Sequence, residues 1–182
     1  MKSLWSEQRG LSMAILFRAN NRKQQLDKYE MLVREQGWLD KHDKFDSPSR
    51  VFYVIMNEGH LAGYYTIENQ NRKSEIKWLY ILPEFRGKGF GTQVLLKILK
   101  TLYQLKINTI FCKVERENTM CDVAFKYGYI VGKDERLYDP LETHTVAPMV
   151  EDNKYIVVFA EKAWGNTSYT MKGALENVCS SK

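Results

Sequence analysis

The chain has 182 residues, of which 44% are hydrophobic, 13% aromatic and 27% charged, with a formal net charge of +5. At about 150 residues per domain this is one compact unit, able to bury roughly 70% of its unfolded surface without a disulfide or metal staple, and the composition excludes disordered and collagen-like classes. Cys112, Cys121 and Cys179 form no CxxC pair and the three histidines are scattered, which argues against a secreted disulfide framework and a structural zinc site. The first ten residues include Glu7 and Arg9 and make a poor signal peptide. Apolar runs such as 51–56 fall far below the roughly 20 residues of a membrane span. A soluble, cytoplasmic protein with no metal site is expected. The basic excess lies before residue 131 and permits an anionic partner without naming one.

Along the chain, 12–18 reads as a short first strand and 21–38 as a helix, with Leu26, Tyr29, Leu32 and Val33 at helical spacing and Gly37 near its end. A charged loop at 41–50 follows. Runs at 51–57 and 61–68, joined by Glu58-Gly59-His60, predict a hairpin. A polar turn at 69–74 precedes a strand at 75–82 that ends at Pro83. A glycine-rich segment then opens a helix reaching about residue 103, whose apolar face is Val94, Leu95, Ile98, Leu99 and Leu102. With a strand at 109–115 this makes a βαβ unit, so its two strands should be parallel. A short helix at 118–126, closed by Gly128, and late strands at 129–131 and 155–160 complete a domain spanning 1–164. Residues 165–182 form a polar tail with a terminal helix.

The glycine-rich segment carries the chemistry. Gly87, Gly89 and Gly91 alternate with Lys88 and Phe90 between a strand and a helix. Glycine permits sharp turns and removes the Cβ that would obstruct a ligand, and the first turn of the helix offers unpaired N–H groups and partial positive charge. This is a phosphate or pyrophosphate cradle, or else a tight turn with a helix cap. The P-loop spacing GxxxxGK[ST] is absent, and Gly87–Gly91 does not fit GxGxxG. Nucleotide hydrolysis and dinucleotide redox chemistry are therefore disfavoured.

The run Leu79-Tyr80-Ile81-Leu82-Pro83-Glu84-Phe85-Arg86-Gly87-Lys88-Gly89-Phe90-Gly91 resembles the acetyl-coenzyme A segment of the GNAT superfamily of N-acetyltransferases. Arg86, Gly89 and Gly91 match that family's [Gln/Arg]-x-x-Gly-x-[Gly/Ala] pattern. The resemblance is sharp over 75–131 and topological elsewhere. It implies an α/β fold, the GNAT acyltransferase fold, with a central mixed sheet flanked by helices. It also implies acetyl-coenzyme A as cosubstrate. Backbone N–H groups of Arg86, Gly87, Lys88, Gly89, Phe90 and Gly91, with Thr92 at the helix start, would hold the pyrophosphate, and Leu79 and Ile81 would pair with the pantetheine arm. Asn118 matches a pantetheine-contacting Asn. It reads equally as a helix N-cap.

The reaction implied is acetyl transfer to a primary amine in a ternary complex, with a backbone N–H near Leu79 as oxyanion donor. The family's general-acid Tyr is out of register. Counting from Asn118 places Phe125 there and leaves Tyr127 as the nearest phenol, either an acid or a core anchor. Lys77 and Trp78 stand where relatives carry an acidic base. Glu75 and Glu68 lie near and act either through water or as solvated strand-end charges. A covalent cysteine route is improbable because buried Cys is usually a small hydrophobe.

The segment 38–46 is similar to an element of the acyl-homoserine-lactone synthases through Asp43-Lys44-Phe45-Asp46, but the Arg expected after Gly63 is absent. The segment is either an acceptor-side loop or a solvated linker with a Trp anchor. The amine acceptor is not named by the sequence. A nucleic-acid or RNA-borne acceptor is not favoured, no membrane partner is expected, and the chain is a monomer or homodimer. The alternative is a catalytically weak or inactive coenzyme A-binding sensor.

Overall fold

The computed structural model describes residues 15–16, 22–142, 146–162 and 168–181. The segment read for a signal peptide, most of the strand expected at 12–18, and the boundary expected at residue 164 lie outside them. Ten strands and four helices are described: β1 (Ile15–Leu16), α1 (Arg22–Glu35), β2 (Arg50–Asn57), β3 (His60–Gln70), β4 (Lys73–Ile81), α2 (Phe90–Gln104), β5 (Thr109–Glu115), α3 (Met120–Tyr127), β6 (Tyr129–Val131), β7 (Leu137–Tyr138), β8 (Val150–Glu151), β9 (Lys154–Lys162), β10 (Tyr169–Thr170) and α4 (Gly173–Ser180). By internal contact the chain forms two compact units. One comprises residues up to Glu68 together with Lys77–Val94; the other comprises Asn69–Ile76 and Leu95 onward.

In the first unit, α1 ends as its sequence predicts. Gly37 takes φ +71°, the Gly37 amide donates to Arg34 O and the Trp38 amide to Val33 O, and the last turn closes as a Schellman motif. The helix buries Tyr29 and Val33 against the antiparallel strands β2 and β3. The hairpin between them turns on Glu58 and Gly59, both at positive φ, which two-residue hairpin loops require. Phe52, Val54 and Tyr64 supply the strand side of a core that also holds Leu39, Phe45 and Tyr80. Phe45 falls in the segment read as a solvated or acceptor-side loop, yet it is buried at 4% exposure. Arg50 accounts for this, because its Nη1 donates to Lys44 O and Phe45 O and folds the charged loop back over the sheet.

The turn expected at 69–74 shrinks to Asn71 and Arg72, both at positive φ. The flanking polar residues stay in strands because Ser74 donates to Asn69 Oδ1 at 2.6 Å, so the buried hydroxyl is satisfied.

In the second unit, Lys73–Ile76 of β4 pair in parallel with Thr109–Cys112 of β5, as the βαβ pattern implies. β5 pairs antiparallel along its whole length with β9, and β6, β8 and β10 also pair with β9. β9 is thus the hub of this unit, and Val157–Ala160 are buried. The expected face of α2, Leu95, Ile98, Leu99 and Leu102, is buried. Helix α4 is fastened by a buried cation: Lys172 Nζ donates to Phe125 O at the end of α3 and pairs with Asp139 at 2.7 Å. No helix among the described residues is long and apolar enough to cross a membrane.

Gly63 on β3 lies close against the backbone of β4. A Cβ there would overlap the Tyr80 carbonyl oxygen. Gly63→Ala is expected to destabilise the protein by about 1–3 kcal/mol, read from the denaturant midpoint. An unchanged midpoint would show that β4 yields at no cost.

Candidate acyl-donor site

Strand β4 reaches the glycine loop through a kink. Trp78 has φ +50°, a left-handed conformation that is an outlier for a bulky residue. Three contacts hold it. The Tyr29 hydroxyl donates to the Trp78 carbonyl oxygen. The indole stacks on Phe45 with centroids 5.3 Å apart. The Arg50 guanidinium lies 4.8 Å over the indole. Parallel pairing with β5 covers Lys73–Ile76 and, among the described residues, does not continue past this kink.

Beyond it the strand straightens. The Leu82 amide donates to Ala62 O at 2.8 Å and Tyr80 O abuts Gly63, so the even-numbered residues direct their backbone groups toward β3. Because these directions alternate along a strand, Leu79 and Ile81 direct theirs to the opposite edge. Those are the two residues the sequence assigns to pantetheine pairing. Ile81 O accepts from Arg86 Nε at 2.8 Å.

A 3-10 turn over Pro83–Phe85 leads from the strand into the loop. Gly87 and Gly89 have φ +86° and +73°, and no atom lies within 4 Å of a Cβ built on either. Both glycines are needed for their backbone angles, and the space beside them is open. Gly89 O accepts from the Gln93 amide at 3.1 Å, so Gly89 caps α2, and the amides of its first turn have no intrahelical acceptor. Phe90 is buried, its ring 5.7 Å from Phe85, and anchors the loop from below. Gly91 and Thr92 are half-buried in the first helical turn. Lys88 is exposed. Arg86 is committed to the scaffold: its amide donates to Pro83 O and its guanidinium lies 5.1 Å over Tyr80. The cradle's free backbone amides therefore begin at Gly87.

The remaining sequence-selected residues belong to the second unit. The Asn118 side chain accepts from the Met120 amide at 2.9 Å, and its carbonyl accepts from the Cys121 amide. These are the bonds of a residue organising the entry to α3. Tyr127 is buried, with Lys126 Nζ 5.5 Å from its ring. Glu75 is half-buried in β4, opposite Phe111, and its charge acts on Lys113. Phe125 packs against Tyr155, with centroids 6.0 Å apart. A phenol thus lies beside the position where the family pattern has Tyr. The sequence reading missed Tyr155 because it lies on a strand thirty positions further on, with no local signal.

Glu68 belongs to a network. Lys77 Nζ lies 2.6 Å and Arg50 Nε 3.6 Å from its carboxylate, and Ser49 donates to it at 3.4 Å. Burial alone would raise this carboxyl, but the bond and charge of Lys77, with Arg50 and Ser49, outweigh it and hold it below the usual glutamate range. A carboxylate so held is a poor proton acceptor. Burial pushes the thiols of Cys112, Cys121 and Cys179 upward, which disfavours a thiolate nucleophile. Among the described residues no cluster of His, Cys, Asp and Glu fits a metal ion.

A mixed sheet with helices, and a kinked strand feeding a glycine cradle at a helix start, define an acyltransferase fold. The model of the acetyltransferase (GNAT) family matches residues 16–129, and the chain belongs to that family, whose usual cosubstrate is acetyl-coenzyme A. No curated protein sequence matches the chain significantly. Solved structures similar to it include Tetrahymena GCN5 (TM-score 0.56, 14% identity, covering 81% of this chain and 96% of that one). Also similar is the spermidine N-acetyltransferase of Vibrio cholerae, solved with coenzyme A and spermine (0.52, 15%, 91% and 98%). A third is the ribosomal-protein-S18-alanine N-acetyltransferase of Escherichia coli (0.52, 10%, 87% and 99%).

Because the Glu68 carboxyl is held low, its contribution to stability is present above the unfolded pKa of about 4.3 and is lost as pH falls through the lower folded value. Glu68→Gln should therefore unfold at lower denaturant than the wild type at pH 7, with the gap closing in acid. A gap that stays constant below about pH 4 would remove Glu68 from the network's energetics.

Proposed function

We propose that the protein transfers an acetyl group from acetyl-coenzyme A to a primary amine by direct attack in a ternary complex. The observation that carries this reading is the cradle itself. Gly87 and Gly89 at positive φ, with open space where side chains would stand, precede the first turn of α2 on a strand that directs Leu79 and Ile81 away from β3. The amides of Gly87, Lys88, Gly89, Phe90 and Gly91, with Thr92, bind the pyrophosphate, aided by the helix's partial charge and the Lys88 ammonium. Leu79 and Ile81 hold pantetheine as an added strand, and Asn118 contacts the pantetheine arm while organising α3.

In the reaction the neutral amine attacks the thioester carbon, and the C–S bond breaks as the amide C–N bond forms. The developing oxyanion receives the Leu79 N–H. The amine's proton leaves to solvent through a water held by Glu75. The coenzyme A thiolate takes a proton from Tyr127; with a thiol pKa near 8.5 it needs only modest help. The spermine-bound Vibrio enzyme makes small cationic amines a reasonable first panel. Nucleic-acid acceptors are not favoured: Lys88 at the donor loop serves the coenzyme's phosphates, and the sequence holds no Arg-rich stripe. The protein acts in the cytoplasm, as a monomer or homodimer. A second reading, a coenzyme A-binding sensor, draws on the burial of Tyr127 and the engagement of Glu68 by Lys77, which leave the proton-transfer groups displaced from the family pattern.

Calorimetry with acetyl-coenzyme A, followed by thiol release with an amine panel, separates the readings. Binding with turnover supports the transferase, binding without turnover supports the sensor, and no binding removes both. Gly89→Asp should abolish donor binding while the protein still folds, at a cost of about 1 kcal/mol for a side chain in the left-handed region, since the added atoms meet nothing there. Tyr127→Phe should lower turnover at saturating donor by about 100-fold if the phenol is the proton donor. Unchanged turnover would assign the ring to packing.

A further inference from the structure

We propose that Tyr29 of α1 is a positioning residue that aims the oxyanion donor: its bond to the Trp78 carbonyl locks the plane of the Trp78–Leu79 peptide and so fixes the direction of the Leu79 N–H. The inference rests on the function proposed above and specifies how the site of that function is set.

A peptide unit is planar and, when trans, its C=O and N–H point in opposite directions. No cis peptide occurs among the described residues. Fixing the Trp78 oxygen therefore fixes the Leu79 N–H on the far side of the same plane. This plane needs fixing. Trp78 sits at φ +50°, which turns its peptide out of the regular strand orientation, and although β4 neighbours β3 on one edge, the parallel pairing on the other covers only Lys73–Ile76.

Tyr29 is well suited to hold it. The residue is fully buried and shows 0% exposure. Its ring is clamped by Tyr64 (centroids 5.0 Å apart, stacked), Phe52 (5.3 Å) and Phe45 (5.1 Å, edge-on), so the hydroxyl has little freedom. The Thr66 hydroxyl donates to the Tyr29 oxygen at 3.4 Å, leaving the Tyr29 proton for Trp78 O. Burial raises this phenol far above its ordinary range, so it remains a donor at any working pH. The chain Thr66–Tyr29–Trp78 polarises the peptide in the direction that strengthens its N–H as a donor. Phe45 and Arg50 hold the indole on the other side of the kink, so both ends of the residue are fixed and only its amide plane is left for Tyr29 to set.

The test uses acetyl-coenzyme A labelled with carbon-13 at the thioester carbonyl, bound to the full chain and read by difference infrared spectroscopy, which needs no knowledge of the acceptor. In the wild type the bound carbonyl band should lie below that of the free donor. Tyr29→Phe keeps every ring contact and removes only the hydroxyl. It should lose most of that shift, and turnover with any amine found active should fall at least about tenfold. The affinity for coenzyme A, which has no acetyl carbonyl, should stay unchanged, a split that general loosening of the fold would not produce. A band shift equal in variant and wild type overturns the positioning role and leaves the transferase reading standing. Donor bound to the wild type with no band shift overturns it as well. Failure of the wild type to bind acetyl-coenzyme A at all removes both. Should Tyr29→Phe not fold, fluorotyrosine encoded at position 29, a stronger donor of nearly the same shape, should enlarge the wild-type shift, and an unmoved band overturns the proposal.

Discussion

A left-handed residue inside a β-strand is the constraint around which the first unit is arranged. Trp78 at positive φ costs about 1–3 kcal/mol, and it persists because its surroundings leave it no alternative. Its carbonyl is taken by a buried phenol, its ring is stacked on Phe45, and its outer face is covered by a guanidinium. Each of those partners is itself fixed. Tyr29 is wedged among three rings, Phe45 is held by the Arg50 bonds to its carbonyl and that of Lys44, and Arg50 leans on Glu68. Tyr29, Phe45, Phe52 and Tyr64 thus share one task, holding a strained backbone at Trp78.

Donor recognition, as proposed, falls almost entirely to backbone groups: the alternate edge of β4, the loop amides and the start of α2. Such recognition asks little of side chains beyond glycine where φ is positive and an apolar anchor such as Phe90 below. This accounts for a fold held in common with structures only 10–15% identical to this chain. On the same proposal, the side chains that accept and donate protons are free to differ between relatives.

The fold was legible wherever periodicity was strong. The face of α2, the Schellman end of α1, the β2–β3 hairpin and β5 follow from spacing and from Gly37, Gly59 and Gly89. The geometry of the glycine loop was legible too, because alternating glycines before an apolar helix predict left-handed turns, and Gly87 and Gly89 adopt them. The kink was not. Nothing in Lys77-Trp78-Leu79 marks a left-handed residue, since the groups that hold it, Tyr29, Phe45 and Arg50, all lie far earlier in the chain. Composition misplaced Phe45 for a related reason: it sits among charges, and only Arg50 brings it inside. Tyr155 beside Phe125 and the neutralisation of Glu68 by Lys77 likewise depend on pairings between distant segments. The groups that would move protons were thus the least readable part of the site.

The buried Lys172 has a bearing on how the protein is made. It lies beyond every strand of its unit, yet it neutralises Asp139 and completes the exposed carbonyl end of α3 through Phe125. The hub strand β9 also comes late, while its partner β5 waits with a bare edge. During synthesis the aromatic cluster of the first unit can close around α1 and the hairpin as soon as β4 has left the ribosome. The second unit must hold an unpaired strand and an uncompensated carboxylate until almost the last helix emerges. That interval, rather than any weakness of the finished structure, is when nascent chains would be prone to pair edge to edge with one another.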